Sequence, residues 1–140
     1  RFEQVEERKE VLIFRFDAQL YFGNKEYFRK ELLKQLENPS DHIRYVILNA
    51  EAINYIDSSA VHMMRKLIVE LKTRNIKLLL AGAIGPTRDI LYSSGLITDI
   101  GKENLFVKTY HALEHCQKLS NKSAIEEKIT LQTKNYMNVT

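Results

Sequence analysis

One cysteine, Cys116, is all that this chain of 140 residues contains. A single thiol can neither close an intrachain disulfide nor build a Cys-based zinc site, and a reducing compartment is its simplest setting. Long apolar runs are also missing. No stretch approaches the roughly 18 to 20 residues that span a bilayer as a helix, so the residues are expected to be soluble as they stand. Glycine is sparse, with five in all, and Gly82 and Gly85 lack the spacing and the lysine of a phosphate-binding loop. Nucleotide chemistry of the P-loop and dinucleotide kinds is therefore unsupported. Charge is not concentrated in one sign either: 21 Lys and Arg against 18 Asp and Glu leave a net +3, mixed along the chain. Without a basic block to track a phosphate backbone, nucleic acid is a poor partner. There is no internal repeat and no low-complexity segment.

What is present suffices for one domain with a sizeable core, since 44% of the residues are hydrophobic. The chain begins at Arg1 without an initiator methionine, which points to a piece excised from something longer. Val11 to Phe16 reads as a strand, Arg1 to Glu7 as a short strand beside it, and Tyr45 to Leu48 and Ile76 to Ala81 as strands covered on both faces. Helices are predicted after the N-cap candidate Asn24, with Tyr27, Phe28, Leu32, Leu33 and Leu36 on the apolar face, and over 58–74. Pro86 fits the first turn of another helix, which Gly95 ends. A short strand over 105–107 precedes a last helix, Tyr110 to Leu119, with Ala112, Leu113, Cys116 and Leu119 on one face. Strands alternating with helices predict a small α/β fold, with a mixed, mainly parallel central sheet, crossover helices and the N-terminal strand at an edge. From Ser120 to Thr140 the sequence turns polar, and a frayed helix or disordered tail is expected.

The strand over 45–48 runs into a polar turn that opens a helix. Asp57 and Ser58 are N-cap residues, and Val61, Met64, Leu67, Ile68 and Leu71 follow at helical spacing, with Met64, Leu67 and Leu71 expected to face the sheet. A serine at a helix N-terminus can receive a phosphate, hold an anion or contact a partner, because unpaired N–H groups and a partial positive charge gather there. The same three residues can also serve as a plain helix cap. Asn49 and Glu51 lie at the C-terminal end of a central strand, where open α/β sheets place their crevices, and are candidate ligand or partner contacts. His111 and His115 lack a third ligand, so no metal site is expected. Ser58 and His62 lack an orienting acid and an oxyanion hole, so no catalytic residue is assigned. The aromatic run from Leu20 to Phe28 suits a pocket lining or, more often at this spacing, core.

Asn49-Ala-Glu51, Ile56-Asp-Ser-Ser-Ala60 and Leu78-Leu-Leu-Ala-Gly82 together resemble the STAS domain shared by sulfate-permease transporters and bacterial anti-sigma factor antagonists. The resemblance spans Val5 to Leu119 and implies a domain over 1–119 followed by a tail over 120–140. The run from Phe16 to Phe28 looks like the transporter (SulP) branch, whose domains carry Asp-Ala-x-Leu-Tyr-Phe-x-Asn-x-x-Tyr-Phe here. That branch implies a non-catalytic regulatory and interaction module without a cofactor. It would be a soluble domain on the cytoplasmic side of the inner cell membrane, partnered by the membrane-spanning part of an anion, notably sulfate, transporter chain and by regulatory proteins. Some such domains bind nucleotides, although nothing in this sequence marks a nucleotide site. The alternative is a free-standing antagonist-like phosphoswitch, in which the serine after the aspartate, here Ser58, is phosphorylated by a partner kinase, with Asp57 and Ser59 as its supporting turn. Ala60 departs from that branch, which has glycine there.

Overall fold

The computed structural model describes residues 9–139, with side chains through 134. The strand expected over Arg1 to Glu7 lies outside them. Four strands, β1 (Val11–Arg15), β2 (Tyr45–Asn49), β3 (Lys77–Ala81) and β4 (Leu105–Phe106), form a sheet in the order β1-β2-β3-β4. All three pairings are parallel, with Ile13 opposite Ile47 and Ile47 opposite Leu79. The helices are α1 (Lys25–Gln35), α2 (Ser58–Thr73), α3 (Gly85–Ser93), α4 (Leu96–Ile100) and α5 (Thr109–Val139). Among the described residues, no helix is long and apolar enough to cross a membrane.

Alternation along each strand divides the core in two. Leu12, Phe14, Val46, Leu48, Leu78 and Leu80 point to the face covered by α1, α2 and the α3–α4 region. Tyr45, Ile47, Leu79 and Ala81 point to the other face, where Ala112 and Cys116 of α5 meet them. Covering both faces explains why the strand sequences read as apolar without alternation. Coverage is unequal, because α5 contacts β2, β3 and β4, and Ile13 of β1 is left 45% exposed. Burial also lifts the Cys116 thiol to about 11, which makes it a packing residue in its native setting.

Asn24 sits before α1, but its side chain makes no cap hydrogen bond to that helix. Its Nδ2 donates to the Gln19 carbonyl at 2.6 Å and its Oδ1 accepts from the Tyr21 N–H at 3.0 Å, so it shapes the loop instead. Phe28 and Leu32 anchor α1, with Phe28 edge-on to Phe14 at 5.4 Å and to Phe16 at 5.0 Å. Tyr27, expected on the same apolar face, points outward and is 62% exposed. The helix needs only a narrow stripe to dock, and the 27–28 pair straddles its edge.

In α2, Met64, Leu67 and Leu71 are buried as expected. Helix α4 lies between Gly95 and Gly101, where no helix was expected; five residues are too few for periodicity to reveal. Helix α5 does not stop at Leu119. Residues 109–139 contain no Gly or Pro and many good helix formers, so the polar turn of the sequence at Ser120 marks a loss of burial within a continuous helix. Ser120 still touches the domain through a 2.6 Å hydrogen bond from its hydroxyl to the Glu10 carboxylate.

Candidate functional site

Two loops form the platform of the site: the segment between β1 and α1, and the segment between β2 and α2. Leu20 and Ile56 bridge in parallel, the Leu20 N–H donates to the Tyr55 carbonyl at 2.9 Å, and the Asp57 N–H donates to the Leu20 carbonyl at 3.0 Å. From below, the buried Thr87 hydroxyl of α3 donates to the Ile53 carbonyl, fixing the second loop to the core.

Asp57 stands at the junction as the N-cap of α2. Its Oδ1 accepts from the Ala60 N–H at 2.8 Å and from the Ser59 hydroxyl at 2.7 Å. Its Oδ2 accepts from the Phe22 N–H at 2.9 Å, in the other loop. Three donors thus converge on one carboxylate. The Ser59 hydroxyl, then the Ala60 and Phe22 amides, hold the Asp57 pKa below the usual carboxylate value, since each stabilises the ionised form. Ser59 is consequently turned inward to its neighbour, whereas Ser58 is exposed as the first residue of the helix. The arrangement offers one exposed hydroxyl next in the chain to a fixed carboxylate, at the positive end of a helix.

Asn49 and Glu51 assemble separately, at the C-terminal ends of β2 and β3. The Asn49 Oδ1 accepts from the Glu51 N–H at 3.1 Å, which folds the turn after β2. Gly82, at a φ of +78°, lies directly beneath; a Cβ there would stand 2.5 Å from the Glu51 Cγ. Only glycine allows that approach. The exposed Arg15–Asp17 ion pair, at 2.6 Å, borders this corner. An apolar hollow of about 190 Å³ opens nearby over Gly82, Ile84, Arg88 and Phe106, and neither Asn49 nor Glu51 lines it. No hydrogen bond joins Asn49 or Glu51 to the Asp57–Ser59 turn among the described residues.

The remaining histidines do not form a site. His115 lies against Phe106 with ring centroids 5.2 Å apart, and His111 against Tyr110. Among the described residues there is no cluster of three His, Cys, Asp or Glu side chains able to hold a metal.

The aromatic run divides. Leu20 and Phe28 are fully buried, while Tyr21, Phe22 and Tyr27 are exposed, joined on the surface by Tyr55. Phe22 is 73% exposed, with the Lys25 Nζ 5.2 Å above its ring. This outward surface beside the helix start was not legible as such in the sequence. Its one local signal was the Ser58, His62, Lys66 spacing, which sets three polar groups along the α2 face opposite the buried stripe.

Residues 3–114 match the family described as STAS domain. Sulfate transporter 4.1, chloroplastic, of Arabidopsis thaliana is 32% identical over 139 residues, covering 90% of this chain and 20% of that protein. The chain thus spans about a fifth of the length of that relative. A sulfate transporter family protein from Wolinella succinogenes has the same fold, with a TM-score of 0.70 and 23% identity over 79% of this chain and 88% of that one. So does the STAS domain of a SulP transporter from Vibrio cholerae, with a TM-score of 0.68 and 17% identity over 84% of this chain and 88% of that one.

Proposed function

The chain belongs to the STAS domain family, and we propose that it is the cytoplasmic, non-catalytic regulatory domain of a SulP-type anion transporter. The observation that carries this reading is the identity to a sulfate transporter across nine-tenths of the chain. The matched part of that relative is a fifth of its length, which suits a domain appended to a membrane-spanning body. Within the domain, the regulatory surface is the Asp57-Ser58-Ser59 turn. Ser58 is exposed, unlike Ser59, and Asp57 couples the helix start to the neighbouring loop, so a change at Ser58 reaches both elements.

A phosphate on Ser58 would add about 1.5 to 2 negative charges next to N–H groups that favour it and next to Asp57, which opposes it. These effects are of similar size, so the fold tolerates the modification while contacts at the surface change. The test is anion uptake, with labelled sulfate first, by the full-length protein carrying Ser58→Glu or Ser58→Ala at matched membrane levels. Ser58→Glu is expected to alter uptake. If both variants transport like the parent, the turn is only a helix cap; if the full-length protein moves no anion, the transporter reading fails.

A further inference from the structure

A groove of about 410 Å³ runs between α1 and α2, bordered by Lys25, Glu26, Arg29, His62, Lys66 and Glu70, with the buried Met63 as its floor. Its charges are unevenly matched. Glu70 is held from two sides, by Arg29 at 2.8 Å and by Arg74 at 3.5 Å. Lys25 and Lys66 have no carboxylate within ion-pair distance among the described residues, and Glu26 is the one acid of the groove left outside those pairs. The groove therefore presents two uncommitted ammonium groups and an imidazole.

Beside the groove, next to Lys25, an exposed aromatic ring stands at the Asp57 cap. Phe22 is fixed there by its N–H bond to the Asp57 Oδ2, its ring is 73% exposed, and Lys25 lies over that ring. Ser58, His62 and Lys66 are all exposed at successive i, i+4 positions, so they line up along α2 at intervals of about 6 Å. An aromatic anchor beside desolvatable cations suits a partner with the complementary pair of features. We propose that this groove, together with the Phe22 ring beside its Lys25, docks an acidic protein segment that carries an apolar anchor residue. Charge complementarity selects the acidic side chains, and the exposed ring selects the anchor.

The proposal deepens the regulatory reading of Ser58, on which its switching part rests. Phosphate on Ser58 would stand one helical turn from His62, at the end of the same row. It would repel an acidic segment and compete for the same cations, so modification and docking exclude each other.

The 140-residue chain is titrated with a labelled amphipathic peptide of Glu and Leu and with its Lys-for-Glu counterpart, by fluorescence anisotropy, and the contact is mapped from NMR amide shifts. The acidic peptide is expected to bind and the basic one not. Amide shifts should centre on Phe22, Lys25, His62 and Lys66, and the double variant Lys25→Glu, Lys66→Glu should weaken binding about tenfold or more at an unchanged melting temperature. Ser58→Glu should weaken it in the same direction. No binding of the acidic peptide, binding indifferent to the double variant, or shifts centred elsewhere would overturn the proposal. It is overturned equally if vesicles of phosphatidylglycerol and phosphatidylcholine bind in a manner sensitive to the double variant while the peptide does not, which would make this face a membrane contact. Groove and regulatory reading fail separately: docking is read on this chain, and the Ser58 effect on uptake is read on the full-length protein.

Discussion

The Phe22 backbone N–H and the Asp57 Oδ2, 35 residues apart in the chain, are joined by a hydrogen bond of 2.9 Å. The other oxygen of the same carboxylate caps α2 through the Ala60 N–H. One side chain therefore both starts a helix and fixes the loop that carries the exposed aromatic ring. The helix start and the aromatic surface consequently respond together to any change at Asp57.

Replacing Asp57 separates these two roles. Asp57→Ala removes the cap and the tie to the loop, and is expected to lower the melting temperature by roughly 2 to 8 °C with the fold intact. Asp57→Ser restores a cap but is too short to serve both loops. Most of the melting temperature should return while the Phe22 amide stays unprotected, which hydrogen exchange measures residue by residue.

The Asp57 carboxyl also has a defined pH signature. Its pKa is lowered in the folded chain, first by the Ser59 hydroxyl and then by the Ala60 amide. A depressed carboxylate pKa contributes stability that is present above the unfolded value of about 3.9 and is lost as pH falls through the folded value. The contribution should therefore be constant from about pH 5 to neutrality, begin to fall below about pH 4, and be gone only once pH is under the folded value. Ser59→Ala should raise the Asp57 pKa, measured by NMR titration of the carboxyl carbon. An unchanged value would mean that the hydroxyl does not face the carboxylate.

Leu67 tests the packing of α2 on the sheet. The side chain is fully buried within the larger core cluster, so Leu67→Ala should cost roughly 2 to 5 kcal/mol in denaturant unfolding. A loss well under 1 kcal/mol would contradict that burial. Val69→Ala, on the exposed side of the same helix, should change stability by less than about 0.5 kcal/mol.

The far half of α5 tests where the domain ends. Ser120 bonds Glu10, whereas Ile125, Ile129 and Leu131 are exposed. Truncation after Ser123 is expected to leave a cooperative transition within about 2 °C of the parent, because exposed helix contributes little to global stability. Truncation after Leu119, which also removes the Ser120 contact, should lower it further. Loss of cooperative unfolding in the longer fragment would show that residues 124–140 are docked in solution.

Much of the fold was legible because its signals are local. The apolar runs of β2 and β3, the Asp57 cap and the 64, 67, 71 stripe each arise from neighbours within a turn or a strand. Where the local signal was weak or ambiguous, the expectation missed. The five residues of α4 hold less than two helical turns, and Tyr27 sits at the edge of its stripe. After Ser120 the chain stays helical, one of the two states expected there, because polar composition says how exposed α5 is and nothing about where its hydrogen bonds stop.

The sequence by itself determined the alternation of the four strands with the longer helices, the apolar stripe of α2 and the helix start at Asp57, since period, capping and propensity act over a few residues. The tertiary structure alone decided what surrounds that start. Only the pairing of β1 beside β2 brings the loop of Phe22 to the second oxygen of Asp57, only that of β2 beside β3 sets the Asn49–Glu51 turn over Gly82, and only the packing of α1 on α2 sets Lys25 across from His62 and Lys66. These contacts join segments tens of residues apart, and no local pattern encodes which of two exposed faces will meet.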